Sequence, residues 1–315
     1  MRVCAVLLAV LLAGTGTGVA QDAAPAEPGS RPVAPSRFGQ RIADPAYGAF
    51  QRGRYLTALN LALEAAERGE TSGKVLAAEI YSRGLGVRRD LEEAARLYGE
   101  AAEAGNVESQ FALAMMKISG EGTAADMEGA YVLLGQAADA GHRLAQFNYA
   151  QMLVDRFPGP PGMERASDYY ERAARAGLAD AQYAMAVIHG EGLAGHVRDD
   201  QQARQWMARA AAQNHDTAQM EFGTWLVEGR GGEVDYEQGF AWVRRAAASG
   251  NVAARNRLAK LYRSGLGVDA DSVEAAAWYL AARRAGLTDP VMEDHLAGLT
   301  DDQIASAESR AAAIR

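Results

Sequence analysis

Apolar side chains recur along this chain at two spacings at once. Within short stretches they fall three and four residues apart, which marks one face of a helix. Each such face then returns 36 residues later. One row reads Ala77, Leu113, Tyr149, Met185, Phe222 and Leu258, and another reads Ile80, Met116, Met152, Ile188, Trp225 and Leu261. Between them runs a row of small residues: Ala78, Ala114, Ala150, Ala186, Gly223 and Ala259. A second set of faces keeps the same step. Leu97, Leu133, Tyr169, Trp206, Trp242 and Trp278 form one row, and Tyr98, Leu134, Tyr170, Met207, Val243 and Tyr279 the next. An alanine row follows at positions 101, 137, 173, 210, 246 and 282. Small residues at fixed positions predict close helix–helix approach, because dense interiors leave no slack there.

Polar punctuation has the same period. Glycines suited to ending a helix stand at Gly69, Gly105, Gly141, Gly177, Gly250 and Gly286, and Asn214 divides the one double-length gap. Capping positions follow at Asp90, Asp126, Gly162, Asp199, Asp235 and Asp271. Glu93, Gln202, Gln238 and Glu274 sit three residues beyond their aspartates, the capping-box spacing. Each unit therefore reads as helix A, a glycine turn, helix B and a tight return. A fixed step of this length predicts a solenoid whose units stack on one another. The predicted fold is all-α: an α/α solenoid of about six 36-residue helix-turn-helix repeats with capping helices at both ends. Residues 72–287 carry the six repeats. Residues 44–71 read as an N-terminal capping hairpin and residues 288–315 as C-terminal capping helices.

Two units depart from the pattern. In the third, DRFPGPPGME (Asp155 to Glu164) replaces the glycine turn, with Gly162 in the aspartate's place. The fourth has one extra residue in GEGLAGHVRDD. These read either as variation on a solvent edge or as a recognition edge or bend formed by neighbouring loops. Past the repeats, Asp289-Pro290 breaks the pattern. Val291 to Leu299 allows one short helix, and TDDQ from Thr300 has capping-box form, with Ile304, Ala307, Ala311 and Ile314 down one side. A closing pair over the last apolar face is expected, a membrane or partner helix being the alternative.

The motifs between helices resemble a known family. GLGV occurs at Gly84, Gly86 and Val87 with Asp90 downstream, and again at Gly265, Gly267 and Val268 with Asp271. Ala94 and Ala275, the pairs Leu97-Tyr98 and Trp278-Tyr279, and the ending Ala101, Ala102, Gly105, Asn106 complete the likeness. This is similar to the Sel-one-like repeat family, relatives of the tetratricopeptide repeat, over residues 72–287, with a half-matching unit at 46–69. The resemblance implies a right-handed superhelical α/α solenoid of paired antiparallel helices that serves as an adaptor or scaffold. It implies export for many bacterial members, and for some exported relatives restraint of sensor kinases in the periplasm. It brings no family-wide catalytic residues.

Composition bears mainly on location and partners. Arg2 precedes an apolar run from Val3 to Ala13, and small residues follow to Ala20. That is the build of a signal peptide, too short to span a bilayer, so residues 1–20 are expected to be removed near Ala20 and the protein to be periplasmic or secreted. The one cysteine, Cys4, lies inside this segment and outside a lipidation pattern. Residues 21–43, with four prolines among Ala, Gly and Ser, read as a Pro/Ala-rich disordered leader. The net charge of −8 offers no general attraction to nucleic-acid phosphates or anionic lipid. The expected partner is thus a protein or peptide, with no nucleic acid, no stable membrane insertion of the mature chain, and a monomeric state.

No catalytic motif appears: the sequence lacks HExxH, CxxC, a P-loop, GxSxG and a Ser-x-x-Lys nucleophile. Without a mature cysteine there is no thiol chemistry. His142 and His215 take the repeat position of Asn106 and Asn251, while His189 takes that of Tyr81 and Tyr262. His189, His196 and Glu191 match no common zinc spacing. No catalytic residue, metal site or cofactor is predicted. Counting helix A from Gln110 at about 100° per residue, positions +2, +5 and +9 point away from the core rows and are expected to line a concave groove. From these rows come the candidate partner-binding residues Met115, Asn148, Gln151, Asp155, Val187, Glu191, Glu221, Thr224, Glu228, Arg257 and Lys260. The leading expectation is an exported adaptor or regulator without enzymatic activity. A cell-wall-fragment binder or hydrolase using a groove pocket, and a self-associating scaffold, are the alternatives.

Overall fold

The computed structural model describes residues 44–314. The expected signal segment (1–20) and leader (21–43) lie outside the described residues. Among the described residues there are sixteen α-helices and no strand. In chain order they are α1 (Pro45–Gln51), α2 (Tyr55–Glu67), α3 (Thr71–Arg83), α4 (Leu91–Glu103), α5 (Val107–Ser119), α6 (Met127–Asp139), α7 (Arg143–Arg156) and α8 (Pro160–Arg175). There follow α9 (Ala179–Glu191), α10 (Asp200–Ala212), α11 (Asp216–Glu228), α12 (Tyr236–Ala248), α13 (Val252–Ser264), α14 (Ser272–Arg284), α15 (Pro290–Ala297) and α16 (Asp301–Ala313). The six A helices are α3, α5, α7, α9, α11 and α13; the six B helices are α4, α6, α8, α10, α12 and α14.

The chain forms two compact units, one ending at Leu97 and one beginning at Tyr98. In the first, α2 and α3 pack closely: a Cβ on Gly73 would stand 2.6 Å from the carbonyl oxygen of Ala62. Ala58, Ala62, Ala77, Ala78 and Ile80 are fully buried there.

In the second unit the short connections make consecutive helices antiparallel neighbours, and from α6 to α14 each helix packs on the one before and the one after. The two small-residue rows are the seams. Ala137, Ala173, Ala210, Ala246 and Ala282 are fully buried, as are Ala114, Ala150 and Ala259. Gly223 shows why size matters at this position: a Cβ added there would lie 2.7 Å from the Gly239 carbonyl oxygen and 2.8 Å from Val243 Cγ2. The α11–α12 crossing thus rests on a glycine facing a glycine. Leu113, Tyr149 and Phe222 are only half-buried, whereas Met185 and Leu258 of the same row are fully buried.

The punctuation folds as its chemistry requires. The six helix-ending glycines all have positive φ, and Asn214, which stands in for the seventh, has φ 66°. Asp126, Asp199 and Asp235 accept a backbone N–H three residues on, and Asp271 accepts two. The reciprocal capping box closes at Thr300 and Gln303. At Asp235 the Gln238 amide turns to the carboxylate instead, at 2.7 Å. The third unit's proline-rich segment is not an open loop. Its prolines start α8 at Pro160, where the missing N–H costs nothing, and leave only residues 157–159 between helices. In the fourth unit the extra residue is absorbed by positive φ at Ala194 and Gly195, and His196 Nε2 lies 3.3 Å from Ser167 Oγ on α8. At the end, α16 lays Ala307 and Ala311 against Ala276, Ala277 and Leu280 of α14, with Leu296 and Leu299 beside them.

Candidate functional site

The A helices are held from beneath by one repeated contact. Gln110, Gln146, Gln182 and Gln219 are all buried. Each sends its side-chain amide to the carbonyl eight residues earlier, near the end of the preceding B helix: Ala102 at 3.5 Å, Ala138 at 3.2 Å, Ala174 at 3.1 Å and Ala211 at 3.0 Å. Arg255 takes the same place in the last repeat and reaches Ala247 O at 3.4 Å. Those carbonyls belong to the free end of a helix. Each also accepts the N–H of the left-handed turn residue, as Ala211 does from Asn214 at 3.1 Å, so the glutamine supplies the second lone pair. Counting from Gln110 passed over this row, the one whose chemistry is uniform. A glutamine returning every 36 residues was the signal.

The starts of three A helices, α7, α11 and α13, are tied to the unit before. His142 Nδ1 accepts from Ala145 N and its Nε2 meets Glu108 at 3.2 Å. His215 does the same with Ala218 N and with Asp180 at 3.6 Å. Asn251 caps Ala254 N and reaches Asp216 at 3.4 Å. Both histidines are therefore caps, which require a bare Nδ1. Their rings stack on the +1 residue of the preceding A helix, His142 on Phe111 and His215 on Tyr183.

Against this frame the candidate residues separate into three groups. Met115 stays 38% exposed, and the Asn148 amide from the next A helix lies 3.7 Å from its sulfur. Asp155, Glu191 and Glu228 are also exposed. Gln151, expected to face solvent, is instead 4% exposed, and its amide nitrogen has no hydrogen-bond partner. Val187 is half-buried against the Met207–Trp225 cluster. The physical reason is that a solenoid helix is flanked by its own partner and by units on both sides. The open stripe is narrower than a single-helix wheel allots, and +5 falls at its margin.

The third group is already engaged, mostly in contacts between units, with Thr224 bonded inside its own helix. Glu228 pairs with Arg257 at 2.6 Å, and Lys260 pairs with Asp289 at 2.5 Å. Thr224 returns its hydroxyl to Met220 O at 2.9 Å. Glu191 lies 3.6 Å from Arg230, a residue that belongs to none of the repeated rows. Arg230 also binds Asp200 and the Gly190 carbonyl, at 2.9 and 3.0 Å, and covers the Trp225 ring at 3.9 Å. Glu221 accepts the Tyr183 hydroxyl at 3.0 Å. Burial raises the Glu221 pKa above the usual carboxylate range, against the opposing effects of that hydrogen bond and of Arg230. Burial lowers His215, against the pull of Asp180. His189, beside His196 at 4.9 Å between ring centres, is lowered by burial and by that neighbour.

Chemically, the A-helix face offers amides, acids and one exposed thioether, arranged over a rigid frame. Among the described residues, no group of three or more His, Cys, Asp or Glu is placed to hold a metal ion, and no helix is long and apolar enough to cross a membrane.

The repeat pattern matches the Sel1 repeat family six times in succession, at residues 75–106, 107–142, 143–178, 179–215, 217–251 and 252–287. No curated protein sequence matches the chain. Among solved structures, a protective antigen of uropathogenic Escherichia coli displaying an SLR fold is similar, with 27% identity and a TM-score of 0.60, over 85% of this chain and 67% of its own. A Sel1 repeat protein from Oxalobacter formigenes shares the fold with 23% identity and a TM-score of 0.65, over 78% of this chain and 100% of its own. Proteins built from Sel1 repeats generally act as protein-interaction adaptors, typically without enzymatic activity. With six matches in register across residues 75–287, the chain belongs to the Sel1 repeat family.

Proposed function

We propose that this is an exported, non-enzymatic adaptor or regulator that binds a protein or peptide along the A-helix face and works in the bacterial periplasm. The observation that carries the binding reading is the Met115–Asn148–Gln151 neighbourhood. An apolar side chain is left exposed, a primary amide rests against it, and one turn along α7 a buried amide nitrogen lacks an acceptor. An unmet buried donor is uncommon in a folded protein. A bound segment supplies what the exposed pair lacks: an acceptor for the Asn148 amide and an apolar side chain for the thioether. The acids further along, Glu191 and Glu228, lie in exposed ion pairs worth little by themselves, so a partner's basic groups can take them over at small cost.

Export is supported by the charged, apolar and small-residue blocks of residues 1–20. It is tested by the mass of the native protein: a chain beginning at Gln21, released by osmotic shock, is expected. Binding is tested by affinity capture from the native envelope with the mature chain and with a variant carrying Met115→Ser, Asn148→Ala, Glu191→Ala and Glu228→Ala. These positions lie outside the buried core, so helicity is expected to persist while capture is lost. Undiminished capture by the folded variant refutes the A-helix face.

A further inference from the structure

In the third to fifth units the B helices carry an aromatic ring with an arginine one turn later: Tyr169 and Arg172 on α8, Trp206 and Arg209 on α10, Trp242 and Arg245 on α12. Each guanidinium lies over its own ring, at 5.2, 4.4 and 5.6 Å. Two of these pairs, on α8 and α12, grip the end of the B helix before them. Tyr169 donates to Asp139 Oδ1 at 2.9 Å, and Arg172 donates to the carbonyls of Ala138 and Asp139 at 3.0 and 3.3 Å. Arg245 donates to Asn214 Oδ1 at 2.5 Å. The rings fill the furrow between successive B helices, Tyr169 edge-on to Tyr149 and Trp242 edge-on to Phe222.

One furrow is not filled this way. On α6 the aligned residues are Leu133 and Gln136. Between α6 and the carboxyl-terminal half of α4 there remains a cavity of about 560 Å³. Leu113 forms its floor, Gly99 and Val132 line its sides, and Gln136 and Glu103 stand at its rim. Glu103 occupies the place that Asp139 has in the next unit, where Asp139 receives the tyrosine and the arginine. It is exposed, and no basic side chain is paired with it among the described residues. The one cation lining the cavity, Lys117, is already held by Asp126 at 2.8 Å. The furrow therefore presents an apolar floor with one unmatched negative charge at its edge.

We propose that this furrow docks a partner protein that inserts an aromatic side chain bearing an arginine one helical turn away. The ring settles on Leu113 and the guanidinium meets Glu103, reproducing in trans the contact that Tyr169 and Arg172 make with the end of α6. The site opens between two B helices, with α5 contributing its floor, and does not rest on the reading of the Met115–Asn148 face.

The test uses a stapled, fluorescein-labelled helical peptide copying residues 200–213, which carries Trp206 and Arg209, titrated by anisotropy against the full mature chain. Saturable binding is expected, weakened about tenfold or more by replacing the peptide's tryptophan with alanine or its arginine with glutamate, and by Glu103→Lys in the chain. The double variant Leu133→Trp with Gln136→Arg fills the furrow from within and is expected to abolish binding. Should that variant fail to fold, Gly99→Leu serves the same end, since a Cβ there meets only Leu113, at 4.0 Å. Absence of saturable binding up to about millimolar peptide, or binding indifferent to Glu103→Lys and to the filled furrow, overturns the proposal. A chain that self-associates in sedimentation and is made monomeric by Gly99→Leu would assign the furrow to a second copy and overturn it equally.

Discussion

Replacing Gln219 by methionine isolates one rung of the buried amide ladder. The side chain is 1% exposed and donates to Ala211 O at 3.0 Å. Methionine keeps the length and nearly the volume, so no large cavity opens. The carbonyl is not orphaned, because it still accepts from Asn214 N at 3.1 Å. The full penalty for an unmet buried acceptor therefore does not apply, and the net worth of one hydrogen bond, about 1 kcal/mol, is the expected loss. For a domain of this size that corresponds to a fall of about 2–4 °C in Tm. The double variant with Gln182→Met, one repeat away, is expected to lose more than twice as much, since separate rungs share no partner and Gln182 also accepts the Gln213 amide at 2.7 Å. Gln219→Arg is the control: Arg255 makes the same contact one repeat later, so arginine is expected to retain more stability than methionine. Thermal melts by circular dichroism at 222 nm read all four. A Gln219→Met melt coincident with the parent, or an arginine variant less stable than the methionine one, would refute the ladder as a source of stability.

Other consequences follow from particular positions. Gly105 has φ 81° with nothing within 4 Å of an added Cβ, so Gly105→Ala meets only backbone strain and is expected to cost about 1 kcal/mol in a urea titration. His215 has a pKa lowered by burial, so its contribution is whole above the unfolded value near 6.5 and is lost as pH falls through the folded one; protonation also removes the Nδ1 lone pair that caps α11. His215→Asn, the residue found at Asn251, is expected to keep the cap and to flatten the fall in Tm between pH 7 and 5. Glu221 has the opposite sign for a carboxyl: its raised pKa means stability complete below the unfolded value and lost as pH rises through the folded one. Glu221→Gln, which still accepts from Tyr183, is expected to raise Tm at pH 7 and to match the parent near pH 4.

Much of this was legible because solenoid contacts are local and repeated. Six copies of one pattern average out the ambiguity of any single helix. Asn214 is the clearest case: its place in the glycine row predicted a positive φ, and φ is 66°. What escaped the sequence was whatever depends on neighbours in three dimensions. Gln151 looks solvent-facing on the wheel of one helix and is buried once flanking units are in place. Arg230 lies outside every row, yet it joins Gly190, Asp200 and Trp225 across two repeats. The proline-rich segment read as a loop became the first turn of α8, because proline fits there as well as in a turn. The B-helix furrow was hidden for a different reason: its meaning lies in the absence of a pair, Tyr169 with Arg172, that becomes visible only once that pair is seen gripping α6.

The central claim is that the chain acts by being gripped along its A helices. It is tested most directly by a photocrosslinking scan in the native envelope, placing a benzophenone amino acid singly at Met115, Asn148, Glu191 and Glu228, and at Gln201 and Gln205 on the outer face of α10. The account predicts one common crosslinked species from the four A-helix positions and none from the two on α10. Equal crosslinking from both sets, or from α10 alone, would contradict it.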